Sequence, residues 1–301
     1  IFAGLLATSL YNFFSCLLRA LGNSTVPLVF LAVSAILNIA WDLLFVAVFH
    51  WGIAGAAYAT IFDQYVSGIG ILLYVLFRCR SLFPERKDLC FDGGILKEIA
   101  GLSSLTCLQQ SVMNFGILMV QGLVNSFGAT TMAAFAAAVK IDTFAYLPVQ
   151  DFGNAYSTFI AQNYGAGNKE RIRRGTKESF AISTAFSLVI SALVFAFAAP
   201  LMQIFVSSAE TAVIASGVRY LRIEGAFYFG IGCLFLLYGY YRAIKRAEMS
   251  VVLTVISLGI RVLLAYVLSA TFLGETGIWM AIPIGWILAD LTGLLYMRKT
   301  W

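Results

Sequence analysis

Ionisable and amide side chains are scarce in this chain, and a dozen of them fall inside long apolar runs. Asn38 and Asp42 are four residues apart, so on a helix they share one face. Thr60 lies on the next apolar run, which would return beside the first. An amide oxygen, a carboxylate and a hydroxyl make an all-oxygen set suited to a hard cation such as Na+, or to a proton relay. The same trio would equally serve as a hydrogen-bond cluster between two helices. Further on, Gln110, Asn114 and Gln121 form a stripe at i, i+4 and i+11. Lys140 and Asp151 lie about 20° apart on a helical wheel but about 16 Å apart along the axis, so they share a face without pairing. Asp142 sits between them, and Arg219, Arg222, Glu224 and Arg261 follow on later runs. A charge at mid-bilayer costs about 2.5–3.5 kcal/mol on insertion scales, so each needs a reason to be there. These residues read as the polar lining of a helix bundle. Buried ion pairs and direct substrate contacts both fit them.

The elements that must hold these residues are membrane helices. Hydrophobic residues make up 60% of the 301 and charged residues 12%, against about 25% charged in a soluble protein. Apolar runs of about 20 residues, enough to cross a bilayer, recur along the chain. The fold class is therefore all-α, a polytopic membrane helix bundle. Nine spans are expected: a partial one at 1–18, then about 26–49, 52–77, 97–126, 130–162, 176–205, 213–241, 248–272 and 277–297. The five cysteines show no CxxC spacing and fall mostly in apolar runs, where Cys behaves as a small hydrophobe. No His/Glu metal pattern, nucleophile motif or phosphate loop points to an enzyme or a cofactor.

The basic residues alternate between connections. Arg19 closes the first span. Arg78, Arg80, Arg86, Lys87 and Lys97 flank the third connection. Lys169, Arg171, Arg173, Arg174 and Lys177 follow the fifth, Arg242, Lys245 and Arg246 the seventh, and Arg298 and Lys299 close the chain. The intervening connections carry none. By the positive-inside rule this places the basic side and the C-terminus in the cytoplasm. The net charge of +5 is thus a topology signal, and nucleic acid is not an expected partner. The expected partners are the lipid bilayer and small organic molecules, with no obligate protein partner.

The first three spans resemble the last three. Arg19-Ala20 matches Arg242-Ala243, and Gly52-Ile53-x-x-Ala56 matches Gly277-Ile278-x-x-Ala281. A six-span period follows, which makes the two halves parallel. Residues 1–78 are then the remainder of an N-terminal lobe, 79–96 a linker and 97–301 a complete C-terminal lobe. Three spans would precede Ile1.

Three stretches carry a family resemblance. Gln162-Asn163-Tyr164-Gly165-Ala166-Gly167-Asn168 with its basic tail is similar to the signature after the eighth helix of the multidrug and toxic compound extrusion (MATE) family. Arg19-Ala20-Leu21-Gly22-Asn23-Ser24-Thr25-Val26-Pro27 resembles that family's fourth-to-fifth helix turn. Asn38-x-x-x-Asp42, followed by Gly52-Ile53-Ala54-Gly55-Ala56-Ala57-Tyr58-Ala59-Thr60, resembles its next two helices. The resemblance implies twelve helices in two lobes around a central cavity, of which family helices four to twelve are present. It implies export of amphipathic, often cationic drugs or toxic metabolites across a bacterial cell membrane in exchange for Na+ or H+. It also implies that Asn38, Asp42 and Thr60 match the cation site of the DinF-like branch, without the first-helix aspartate that completes it. Glu224 is the best acid for a second site in the C-terminal lobe, with Asp63 and Asp290 behind it. Two alternatives stand beside this reading: a lipid-linked oligosaccharide flippase of a related transporter group, and an inactive fragment.

Overall fold

The computed structural model describes residues 2–80 and 91–300. Arg86, Lys87 and most of the expected linker lie outside the described residues. Contacts divide the chain into two units, Ile1–Asp92 and Gly93–Trp301. Among the described residues every regular element is helical.

The first unit has three helices: α1 (Leu5–Ala20), α2 (Thr25–Asp42) and α3 (Gly52–Arg78). α1 and α2 both pack on α3, around Phe14, Leu18, Ile71 and Val75. Small residues permit the approach: a Cβ on Gly68 would meet the backbone of Ala7, and one on Gly55 the backbone of Phe45 at 3.1 Å. Such small-residue contacts are how membrane helices close without a hydrophobic driving force. α2 continues past Asp42 as a π-helical turn, Leu43–Val48.

The second unit holds α4 (Gly93–Asn125), α5 (Ala129–Gly165), α6 (Lys169–Phe205), α7 (Thr211–Gly225) and α8 (Tyr228–Ala243). α9 (Ala247–Thr254), α10 (Ile260–Ser269) and α11 (Glu275–Thr300) complete it. α5 and α8 form the most extensive helix pair. A Cβ on Gly239 would lie 2.6 Å from the Gly153 carbonyl oxygen, and Ser157 donates to the Gly239 carbonyl at 2.9 Å. α6 is kinked at Phe197 (φ −103°, ψ 17°), three residues before Pro200, whose ring displaces an earlier carbonyl. A π-helical turn, Val255–Gly259, joins α9 to α10.

Seven helices among the described residues are long and apolar enough to cross a membrane, and the bent pair α7–α8 raises this to eight. The partial first span is α1, 16 residues and about 24 Å at the standard helical rise. One expected span differs. The run 213–241 is two helices bent by 51°. The break lies at Gly225-Ala226-Phe227, where the Phe227 N–H turns back to the Glu224 carbonyl at 2.9 Å. Apolar composition runs straight through this stretch, so periodicity does not reveal the bend.

The helices matched in sequence end on similar backbone turns. α1 ends with Gly22 at φ 87°, and the Asn23 N–H reaches the Leu18 carbonyl at 2.9 Å. α8 ends with Lys245 at φ 61°, and the Arg246 N–H reaches the Tyr241 carbonyl at 2.9 Å. Both are Schellman-type stops. Gly167, at φ 70°, closes α5 in the same way, with Asn168 N–H to Asn163 O at 2.9 Å. The paired glycines before the last helix of each half shift register from the sequence match. Gly52 (φ 56°) corresponds to Gly274 (φ 52°), and Gly55 to Gly277. Like Gly55 against Phe45, Gly277 lies against the Leu268 backbone.

Candidate functional site

In the first unit the polar residues gather where α2 faces α3. Asn38, Asp42 and Thr60 are all half-buried. The Thr60 hydroxyl donates to the Ala56 carbonyl at 3.0 Å, as a helical Thr commonly does. Asp42 Oδ1 is buried and has no hydrogen-bond partner. Asp63, on α3 one turn beyond Thr60, lies within electrostatic range of Asp42. Ser34 is two turns before Asp42 on α2. Its hydroxyl approaches Asp63 Oδ2 at 3.4 Å and the Asp63 carbonyl at 3.1 Å. Asp63 Oδ1 and Gln64 Oε1 are also buried without partners. The arrangement is two carboxylates with spare oxygens and one hydroxyl, that of Ser34, just before the π-helical turn of α2. π-helical turns recur at functional positions. Asp63 stood behind Glu224 as an acid for a second site, and only the packing of α3 on α2 brings it near Asp42.

In the second unit the two most deeply buried acids among the described residues are Asp142 of α5 and Glu224 at the end of α7, 4% and 6% exposed. Tyr220, Glu224 and Tyr228 follow one another at four-residue steps across the α7–α8 break, and both tyrosines are buried. Tyr228 donates its phenolic proton to Asp142 Oδ1. Asp142, Glu224, Tyr220, Tyr228 and Arg261 of α10 form one electrostatic cluster. Asp142 Oδ2, Glu224 Oε2 and Arg261 Nε have no hydrogen-bond partner. Tyr220 also stands edge-on to the buried Trp279, centroids 4.9 Å apart. The structure thus unites Asp142, Glu224 and Arg261 from the sequence candidates and adds the two tyrosines. Their spacing around Glu224 is the one sequence signal that points to them.

The other candidates do not join this cluster. Lys140 is exposed, with its ammonium 5.9 Å from the Phe205 ring centroid. Arg222 is exposed and stands over Phe195 at 5.3 Å. Arg219 pairs with Glu275 at 3.4 Å. Glu275 opens α11 and accepts from Thr131 of α5 at 2.8 Å and Ser216 of α7 at 3.0 Å. It therefore ties three helices at one end of the unit. Asp151 and the stripe Gln110, Asn114 and Gln121 are exposed, the stripe along one side of α4. Asp290 of α11 is 7% exposed, with Oδ1 unpartnered, and sits beside Cys233 of α8.

The basic turns come together at the opposite end of the unit from Glu275. The α5–α6 turn, the α8–α9 turn and the end of α11 line one cavity there. Lys245 pairs with Glu98 of α4 at 2.5 Å, and that carboxylate holds the Lys245 ammonium above its usual range.

Comparison with known proteins agrees with this architecture. A family model described as MatE matches residues 105–267. The chain is 33% identical over 300 residues to the probable multidrug resistance protein YpnP of Bacillus subtilis, covering 99% of this chain and 66% of that protein. It is 27% identical over 305 residues to the probable multidrug resistance protein NorM of Thermotoga maritima, covering 98% and 64% respectively. It thus spans slightly less than two thirds of the length of these curated relatives. The crystal structure of a mutant of the Vibrio cholerae MATE transporter VcmN superposes with a TM-score of 0.91 at 22% identity, covering 99% of this chain and 67% of that one. With a polytopic helical bundle, unpartnered acids in both units and the Gln162–Arg174 signature, these matches establish that the chain belongs to the MatE family, the multidrug and toxic compound extrusion transporters.

Proposed function

We propose that the chain forms part of a cation-coupled antiporter that exports amphipathic organic molecules across a bacterial cell membrane, with its basic turns and C-terminus in the cytoplasm. The observation that carries the coupling is Asp42: a carboxylate in a membrane helix with a buried oxygen that no protein group satisfies. Such an oxygen gains most from a proton or a Na+. Asp63 lies within electrostatic range of it, and Asn38 shares its helical face one turn earlier. Loading Asp42 would remove its repulsion from Asp63 and alter how α2 packs on α3, which favours one facing state of the transporter. The cluster of Asp142, Glu224 and Arg261 is a second group able to exchange charge with a passing cation.

The exposed stripe Gln110, Asn114 and Gln121 supports a substrate path. Amides turned to lipid tails would be left without partners, so we infer that this side of α4, with Asp151, faces an aqueous route. The flippase alternative is weaker. A pyrophosphate carrier needs converging free cations along the spans, whereas among the cations within the spans Arg219 is matched by Glu275, Lys140 and Arg222 cover aromatic rings, and Arg261 faces two acids.

The test is dye efflux by the full-length transporter in a host stripped of its own pumps. Asp42→Asn should abolish efflux at unchanged expression. Normal efflux by that variant would exclude the coupling role.

A further inference from the structure

A sizeable cavity of the second unit shares no lining residue with that unit's acid cluster. It measures about 620 Å3 and sits at the basic end of the second unit. Four cations line it from three separate places in the sequence: Lys169 and Arg173 on the first turns of α6, Arg246 after α8, and Lys299 near the end of α11. One acid, Glu170, faces them. Among the described lining residues the formal charge is therefore about +3. Arg246 is oriented without any carboxylate. It donates to the Tyr296 hydroxyl, and its guanidinium stands 5.7 Å from that ring's centroid. Tyr240 and Ile172 give the same cavity an apolar wall.

We propose that this cavity is a binding site for a phosphate-bearing anion, an anionic phospholipid headgroup or a soluble phosphate. Guanidiniums pair phosphate oxygens through a bidentate fork, and ammoniums bind them as point charges. A volume of this size lies within the range that holds a small-molecule ligand. The apolar wall suits the carbon skeleton that carries the phosphate. The ligand would bridge α6, the α8–α9 turn and α11, and so lock the basic end of the unit together. Helix termini brought into one cationic wall would otherwise repel one another.

The experiment measures thermal protection and retained lipid, by native mass spectrometry, on the purified chain in detergent. Three probes are used: phosphatidylglycerol, phosphatidylcholine and inorganic phosphate. The variants are Arg173→Gln/Arg246→Gln and, should that pair fold poorly, Lys169→Gln/Lys299→Gln. Lys97→Gln/Lys177→Gln removes the same charge outside the cavity. Loss of two charge-assisted contacts should weaken binding at least about tenfold, with the control pair unchanged. Selective retention of phosphatidylglycerol, lost in the cavity variants, assigns the site to a lipid headgroup. Protection by inorganic phosphate with the same loss assigns it to a soluble ligand. Equal retention of both lipids without phosphate protection overturns the proposal, as does selective binding that the control variant weakens equally.

Discussion

Tyr228, the first residue of α8, donates its phenolic proton to Asp142 on α5, and both groups are buried. The contact spans 86 residues of sequence. It fixes the break between α7 and α8 against α5, with Glu224 just before the break. Helices interrupted beside an ionisable residue are a recurrent way for transporters to build a site at membrane depth.

Tyr228→Phe should cost about 1–3 kcal/mol, because it leaves a buried carboxyl oxygen without its donor. The double variant with Asp142→Asn should cost less than the two single losses combined, since contacting residues couple. A denaturation series in detergent gives all three values. Strict additivity would mean that the pair does not interact.

Gly239→Ala should destabilise by about 1–3 kcal/mol, because the added methyl meets the Gly153 carbonyl and forces α5 and α8 apart. Gly122→Ala is the contrast. Nothing lies within 4 Å of a Cβ there, and helix propensity should leave the protein up to about 1 kcal/mol more stable. Unfolding midpoints that rank the two variants the other way would refute the close approach.

Glu275→Ala should cost about 2–4 kcal/mol, since Thr131 and Ser216 both lose an acceptor that is charged and partly buried. Arg219→Met should cost under about 1 kcal/mol, because that pair is half-exposed. Stability measured at low and high salt separates the two: the Arg219 contribution should shrink with salt and the hydroxyl contribution should persist.

Ser34→Ala should reduce efflux of the full-length transporter several-fold, whereas Asp42→Asn removes it. Ser34 contacts Asp63 at both its backbone carbonyl and its carboxylate, so its loss loosens the pair without removing a charge. A dye-efflux time course for each variant and for Asp63→Asn ranks the three. Full activity in both aspartate variants would exclude this cluster from coupling.

Much of the architecture follows from local properties of the chain. Apolar run length sets the helices, and glycines at Gly22 and Gly167 mark where they stop. The alternation of basic residues orders the connections. These are features of single segments, so no knowledge of their neighbours is needed. The Gln162–Arg174 block carries the family for the same reason.

The sites are a different matter. Asp42 could be singled out because it shares a helical face with Asn38, yet its relation to Asp63 depends on which face α3 turns to α2. Lys140 and Arg222 read as lining by composition alone, but helix rotation points them at Phe205 and Phe195. Asp142 lies two residues from Lys140 in sequence and about 200° from it around the helix, so one is buried while the other is exposed. Glu275 begins a helix and gives no local sign of the three helices it joins. The break after Glu224 and the cationic cavity at the turns likewise need contacts between distant segments. Sequence by itself determined which segments are membrane helices, where they end and to which family they belong, because run length, turn residues and charge act locally. Tertiary packing alone decided which polar side chains meet, because a rotation of one residue, about 100° on a helix, moves a side chain from the core to the surface.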